Sequence, residues 1–137
     1  MKSSLKEVKA IVTKTVTQVQ KEIQKIAKVV NKNWTEKYMK GVQQYRGVKT
    51  PELRSVIFKS AWDDHMKEMS AEDKKEIAHS LLAQDFGEDK YIGMMIFEKL
   101  KKHVDHSDIK RIETLFKEGK LNGWANTDCV CGFIFKH

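Results

Sequence analysis

The chain has 137 residues, 40% hydrophobic and 33% charged, with one Pro and 7 Gly; that suits one domain with its own core and lacks the turn residues a β-sandwich needs. Two cysteines only two positions apart, Cys129 and Cys131, exclude a disulfide framework and the usual four-ligand zinc site, and read as free thiols. The net charge of +7 is concentrated at the start, where residues 1–33 carry Lys2, Lys6, Lys9, Lys14, Lys21, Lys25, Lys28 and Lys32 against Glu7 and Glu22.

Leu5, Val8, Val12, Val16, Val19, Ile23, Ile26 and Val30 recur at steps of three and four, which predicts one amphipathic helix over 4–31 with lysines on its outer face. Lys9 and Thr13 interrupt a coiled-coil seam, and the stripe has no aromatic residue to anchor it at a membrane surface. Packing against the body of the domain is therefore expected. The lysine face would attract phosphates or an acidic surface, and is also what a solvated helix face looks like. No run approaches the ~18 apolar residues of a membrane span, and no leader pattern precedes the helix. A cytoplasmic protein with no membrane partner is the expectation.

After the leading helix an interval of 37 residues emerges. Asn33, Ser70 and Ser107 are candidate N-caps, each before a helical pattern at Trp34 to Tyr45, Ala71 to Gln84 and Asp108 to Lys117. Glu36 and Asp73 stand at the capping-box position of the first two, and Asp108 in the first turn of the third. Thr50, Gly87 and Trp124 keep the same interval and open a second helix in each pair, with Pro51 just inside the Thr50 cap. Apolar positions follow it too: Val56 with Ile57, Met94 with Met95 and Phe97, Val130 with Cys131 and Ile134. The first helices fit less well, because Ile77, Leu81 and Leu82 are shifted against Ile112, Leu115 and Phe116. The expected fold is all-α: a lysine-rich leading helix over 1–32 and three antiparallel helix pairs over 33–137. Together they form one domain, 1–137, stacked as a right-handed HEAT-like α-α superhelix. The Met and Phe residues of 91–100 read as core.

The interval also places Arg54, Tyr91 and Asp128 at equivalent positions of successive second helices. An arginine, an aromatic and a carboxylate in a row on one face would suit gripping a charged polymer. In the last of these helices Trp124 and Asp128 are four residues apart, so the indole and the carboxylate share one side of the helix start. A first-turn Asp favoured by the helix dipole, beside a packing Trp, has the same spacing. His103 and His106, with Asp105 and Asp108 nearby, read as a solvated helix-end cluster rather than a metal site. Asp63, Asp64 and His65 close a helix. No Gly-rich phosphate loop or nucleophile motif is present, so no cofactor and no metal are expected.

Lys37-Tyr-Met-Lys40, Tyr45-Arg-Gly-Val-Lys-Thr-Pro-Glu-Leu-Arg54, the stretch Asp89 to Lys102 with His103-Val-Asp-His106, and Trp124-x-x-x-Asp128 together resemble the DNA alkylation repair family. These are AlkD-type DNA glycosylases of HEAT-like repeats, and the resemblance runs from about Trp34 to the end. It implies binding of double-stranded DNA and hydrolytic release of N3- or N7-alkylated purines, a 3-methyladenine/7-methylguanine glycosylase activity of base excision repair. Asp128 would be the catalytic carboxylate with Trp124 beside it, and Tyr38, Thr50 and Arg54 would touch the DNA backbone. Ala125 departs from the pattern, since family members often carry a second acid there. The chain also ends at His137, where the family continues through further repeats. It is therefore expected to be either the N-terminal part of a longer protein or a short relative, and the competing function is a non-catalytic scaffold for nucleic acid or protein. An apolar helix face ending at Phe133-Ile-Phe-Lys-His137 without a capping repeat predicts self-association. Light scattering coupled to size exclusion should then give a mass above the monomer at high concentration, and a strict monomer would contradict it.

Overall fold

The computed structural model describes residues 5–28, 32–33 and 46–118. Among them every regular element is helical: α1 (Leu5–Ile26), α2 (50–66), α3 (Ala71–Leu82), α4 (Gly87–Lys99), a 3-10 turn (Lys101–His103) and α5 (His106–Lys117). α2 is composite, with α turns at Thr50–Glu52 and Lys59–Ala61 alternating with π-type turns at Leu53–Phe58 and Trp62–Met66. The all-α expectation holds, and no described helix is long and apolar enough to cross a membrane. The expected helix Trp34 to Tyr45 and the second helix of the third pair lie outside the described residues.

α1 docks through Val16, Val19 and Ile23, which are buried, with Val12 and Ile26 at the margin. Lys6, Lys9, Lys14, Lys21 and Lys25 face out. It packs mainly on α3 and also touches α2 and α4, so it is part of the body of the protein. Its predicted end at residue 31 needs correction. The helix stops at Ile26 because the Ala27 N–H turns back to Gln24 O and the Lys28 N–H donates to Gly47 O at 2.9 Å.

α4 is central. Ile92 and Met94 through Phe97 are all buried, so this helix is apolar nearly all round, as a helix enclosed by neighbours must be. α3 brings Ile77, Ala78, Leu81 and Leu82 to it and α2 brings Leu53, Ile57 and Phe58, while Ala61, Met66 and, from α5, Ile112 complete the same buried cluster. The Met and Phe residues of 91–100 are core, as expected. Val56 is not, being 51% exposed; the buried stripe of α2 runs through Leu53 instead. Gly93 lets α3 and α4 meet at backbone distance, since a Cβ there would sit 2.9 Å from Ala78 O.

The caps confirm part of the interval and correct part. Ser70 caps α3, its side chain accepting from the Asp73 N–H at 3.1 Å, and α4 begins at Gly87. At α2 the Leu53 N–H already donates to Lys49 O at 3.1 Å, which makes Thr50 the first helical residue rather than the cap. The third first-helix is capped by Asp105, not Ser107: Asp105 and Asp108 form a reciprocal capping box. A carboxylate that accepts from the backbone and a partner acid that accepts in return satisfy two orphan N–H groups. First helices therefore repeat at 35 residues, from Ser70 to Asp105, and second helices at 37, from Thr50 to Gly87. The same two-residue difference moves Ile77 onto Ile112.

Charged groups tie these helices together from inside. Glu88, Asp89 and Lys90, in the first turns of α4, are 2, 0 and 2% exposed. Glu88 accepts from three consecutive backbone N–H groups, Arg46 and Gly47 at 2.8 Å and Val48 at 3.0 Å. Asp89 accepts from Nε and Nη2 of the Arg46 guanidinium, at 2.9 and 3.1 Å, and from the Gln20 amide of α1 at 2.9 Å. Lys90 donates to Leu82 O at 3.0 Å and to Gln84 O, the carbonyls left open where α3 ends. Gly47 is required where it stands: its φ is +111°, and a Cβ would lie 2.2 Å from Lys28 O.

A second buried set joins α3 to α5. Asp108 accepts from Lys75 Nζ at 2.9 Å and faces His79 Nε2 at 2.8 Å, while Lys75 also donates to His103 O at 2.9 Å. Burial alone would push the Asp108 carboxyl up, but hydrogen bonds from His79, the Asp105 backbone and Lys75 outweigh it and hold the group at about 2. Being ionised it can only accept, so His79 carries its proton on Nε2 and leaves Nδ1 buried without a partner. Burial lowers His79 from 6.5, and it opposes a net rise of Lys75 above 10.5 that the bonds to Asp108 and Glu72 produce. Arg111 adds a two-pronged bond to Glu76 on the outside, at 2.6 and 3.1 Å.

Two predictions follow from these ties. Glu88→Ala strands the buried N–H groups of Gly47 and Val48 and the partly buried one of Arg46, and should destabilise the fold by about 3 kcal/mol or more in urea titration; an effect below about 1 kcal/mol would show the loop 46–48 is held by something else. For the second set, a lowered folded-state pKa means the unfolded chain binds more protons, so stability is complete above the unfolded pKa and declines below it. Stability should fall as the pH drops below 6.5 through His79, fall again between 3.8 and about 2 through Asp108, and decline above 10.5 through Lys75. His79→Gln should remove the first decline, and Asp108→Asn should cost about 3 kcal/mol at neutral pH by removing the buried carboxylate that Lys75 and His79 share.

Candidate nucleic-acid interface

The interval of 37 is visible in space between α2 and α4. Arg54 Nη2 donates to the Tyr91 hydroxyl at 2.8 Å. One turn on, Phe58 and Met95 line the same groove, and a turn further the Lys99 ammonium lies 5.9 Å from the centre of the Trp62 ring. Each of these three pairs joins residues 37 apart. Positions i, i+4 and i+8 of a helix fall on one side, so the two second helices present matching stripes to each other.

Why Arg54 arrives there can be traced to the lock described above. Glu88 fixes the backbone of Arg46, Gly47 and Val48, and α2 starts two residues later. Tyr91 is one turn beyond Glu88 on α4. The buried carboxylate thus sets the distance between the start of α2 and the face of α4 that carries the phenol. Arg54 is exposed, while Tyr91 is half-buried with its body against the core.

The groove between the stripes has a volume of about 410 Å³ and is lined by Arg54, Phe58, Met95, Glu98, Lys99 and Lys101. Its floor is apolar, because Phe58 and Met95 are core residues seen from outside. Its rim carries three cations and one carboxylate. Trp62 extends the apolar floor, tilted against Phe58 at 5.8 Å between ring centres, with Lys74 4.6 Å above its face. A cation over an indole is held electrostatically without losing its charge. The arrangement offers fixed positive charge along an open, aromatic-floored track, the composition that holds phosphodiester backbones and leaves sequence unread. Among the described residues no three His, Cys, Asp or Glu side chains converge as a metal set; His103 and His106 are exposed, and His65 lies 3.9 Å from Glu22 of α1.

Of the site residues inferred from sequence, the structure brings Arg54 and Tyr91 together. Tyr38, Trp124, Asp128 and the side chain of Thr50 lie outside the described residues. Sequence reasoning missed Phe58, Trp62, Lys74, Lys99 and Lys101. The 37-residue interval, applied to 58 and 62 as it was to 54, would have found two of the three rungs. Lys74, from α3, and Lys101, beyond the end of α4, are the exceptions, since neither stands on a rung.

A family model described as DNA alkylation repair enzyme matches residues 19–137. No curated protein and no solved structure matches the chain.

Proposed function

The chain belongs to the DNA alkylation repair enzyme family and its role is in DNA repair; from that premise we propose that it hydrolyses the N-glycosidic bond of N3- or N7-alkylated purines in duplex DNA. The observation that carries this reading is the Arg54–Tyr91 contact, made across one repeat at the rim of a basic groove. In the sequence Asp128 follows Tyr91 by the same 37-residue interval, four residues after Trp124.

The chemistry asks for little more than such a surface. An alkylated purine is already cationic, so when the C1′–N bond breaks its electron pair leaves with the base, which departs neutral. Positive charge develops on the deoxyribose. Asp128 is the carboxylate that stabilises it and orients water, whose oxygen bonds C1′ while its proton passes to Asp128 or solvent. Trp124 offers an indole face to the same cationic centre. Arg54, Tyr91, Tyr38 and Thr50 hold the backbone, and contacts of that kind set register without choosing sequence. Because the leaving group needs no activation, the base need not be drawn into a deep pocket, unlike the target of most base-modifying enzymes.

Chromatography of methylated duplex DNA after incubation with the protein should reveal free 7-methylguanine. Asp128→Asn should reduce its release on the order of 100-fold while leaving DNA affinity within about twofold. Arg54→Gln should weaken binding and lower the slope of log affinity against log salt by about one. Absence of base release with salt-dependent binding intact would identify a non-catalytic DNA-binding scaffold, and absence of both would remove the reading.

A further inference from the structure

Lys74 and Lys99 converge on Trp62, two helical turns from Arg54, and Lys101 lines the groove beside them in sequence. Lys74 and Lys99 point at Trp62 from α3 and α4, with their ammonium groups 4.6 and 5.9 Å from the ring centre, and Lys101 lines the adjoining wall. Like charges drawn to one place repel, and the buried Lys75 of α3 is by contrast answered by acids, Asp108, Glu72 and Asp105. Lys74, Lys99 and Lys101 make no ion pair with any described carboxylate. Lys99 closes α4 and Lys101 follows it by two residues, at the end where the helix dipole stabilises cations already in place. The indole between the first two limits their freedom, which lowers the cost of fixing them on an anion.

We propose that this Trp62-centred cluster is a second phosphate-contact point, distinct from the Arg54 end, so that one strand of the duplex backbone lies along the groove and is held at both ends. The proposal rests on the reading of the protein as a DNA binder and adds the residues and the path. Arg54 and Trp62 are two helical turns apart, roughly 12 Å at 1.5 Å per residue. A backbone stretched over that span crosses the Phe58–Met95 floor, which carries no charge to meet a phosphate and suits the apolar edge of a deoxyribose. Glu98 on the same wall repels phosphate and keeps the backbone toward the lysine side.

The test is a salt titration of duplex binding by fluorescence anisotropy, using the full chain and an unmodified oligonucleotide. The Lys99→Gln/Lys101→Gln double variant should bind about tenfold more weakly at moderate salt, with a slope reduced by about two. A control removing the same charge from α5, Lys110→Gln/Lys117→Gln, should leave the slope unchanged. If wild type binds with a steep slope and the double variant keeps that slope, the second contact does not exist. Equal slope losses in the variant and the α5 control would overturn it too, as a general charge effect. Failure of the wild type to bind duplex DNA would overturn the DNA-binding reading itself, and the second contact with it.

Discussion

Three consecutive charged side chains at the start of α4 hold most of the described structure in place. Successive residues of a helix point about 100° apart, so one turn can reach three directions. Glu88 reaches the 46–48 loop, Asp89 reaches Arg46 and α1, and Lys90 reaches the open end of α3. Burying charge is expensive, by several kcal/mol for each ion, and is tolerated only when every group is matched. Here each is matched by partners that themselves need satisfying: orphan N–H groups of a tight loop, a guanidinium, and the last carbonyls of a helix. The two acids also lie at a helix N-terminus, where the backbone dipole favours them. The Arg46 guanidinium is closed in from the other side by the Phe86 ring, 4.1 Å away.

The candidate interface is a consequence of that arrangement rather than a separate feature. With the loop before α2 pinned to the first turn of α4, the two second helices have one relative position, and the residues one interval apart must meet. Arg54 finds Tyr91 because Gly47 and Val48 are held by Glu88. The Arg54–Tyr91 contact depends on register between helices, and groups carried on helix faces are positioned more rigidly than groups carried on loops.

What could be read in advance was whatever repeats or caps locally. Ser70 with Asp73 was legible because capping is a contract between neighbours, and the apolar steps of α1 and α4 because burial of oils leaves a period. The Arg54–Tyr91 row was legible for the same reason, as an interval. The buried charges were not. Nothing in Glu88-Asp89-Lys90 distinguishes a solvated first turn from a buried one, since their partners are some forty residues away in the case of Glu88. The end of α1 was equally hidden: no Gly or Pro stands between residues 21 and 33, and the helix is terminated by Lys28 donating to a carbonyl of a distant loop. Asp105 was passed over for Ser107 because a 37-residue interval was imposed on helices that do not keep it.

That last discrepancy has a structural source. From Thr50 to Ala71 is twenty-one positions, while from Gly87 to His106 is nineteen. α2 contains two π-type turns, Leu53–Phe58 and Trp62–Met66. A turn closed by an i+5 bond takes up one residue more than an α turn, so the two of them lengthen α2. α2 spans 50–66 and α4 spans 87–99, four residues fewer, while the connection 67–70 to α3 is two residues shorter than the connection 100–105 to α5, which leaves the net difference of two. Only the first π turn falls within the span of the three rungs, where it slips α2 against α4 by about one residue, roughly 1.5 Å. Arg54, at the beginning of that turn, is little affected, and the long side chain of Lys99 reaches Trp62 across the slip. The two series of helices can therefore run at different intervals while the face that carries the arginine, the aromatics and the lysines stays in step.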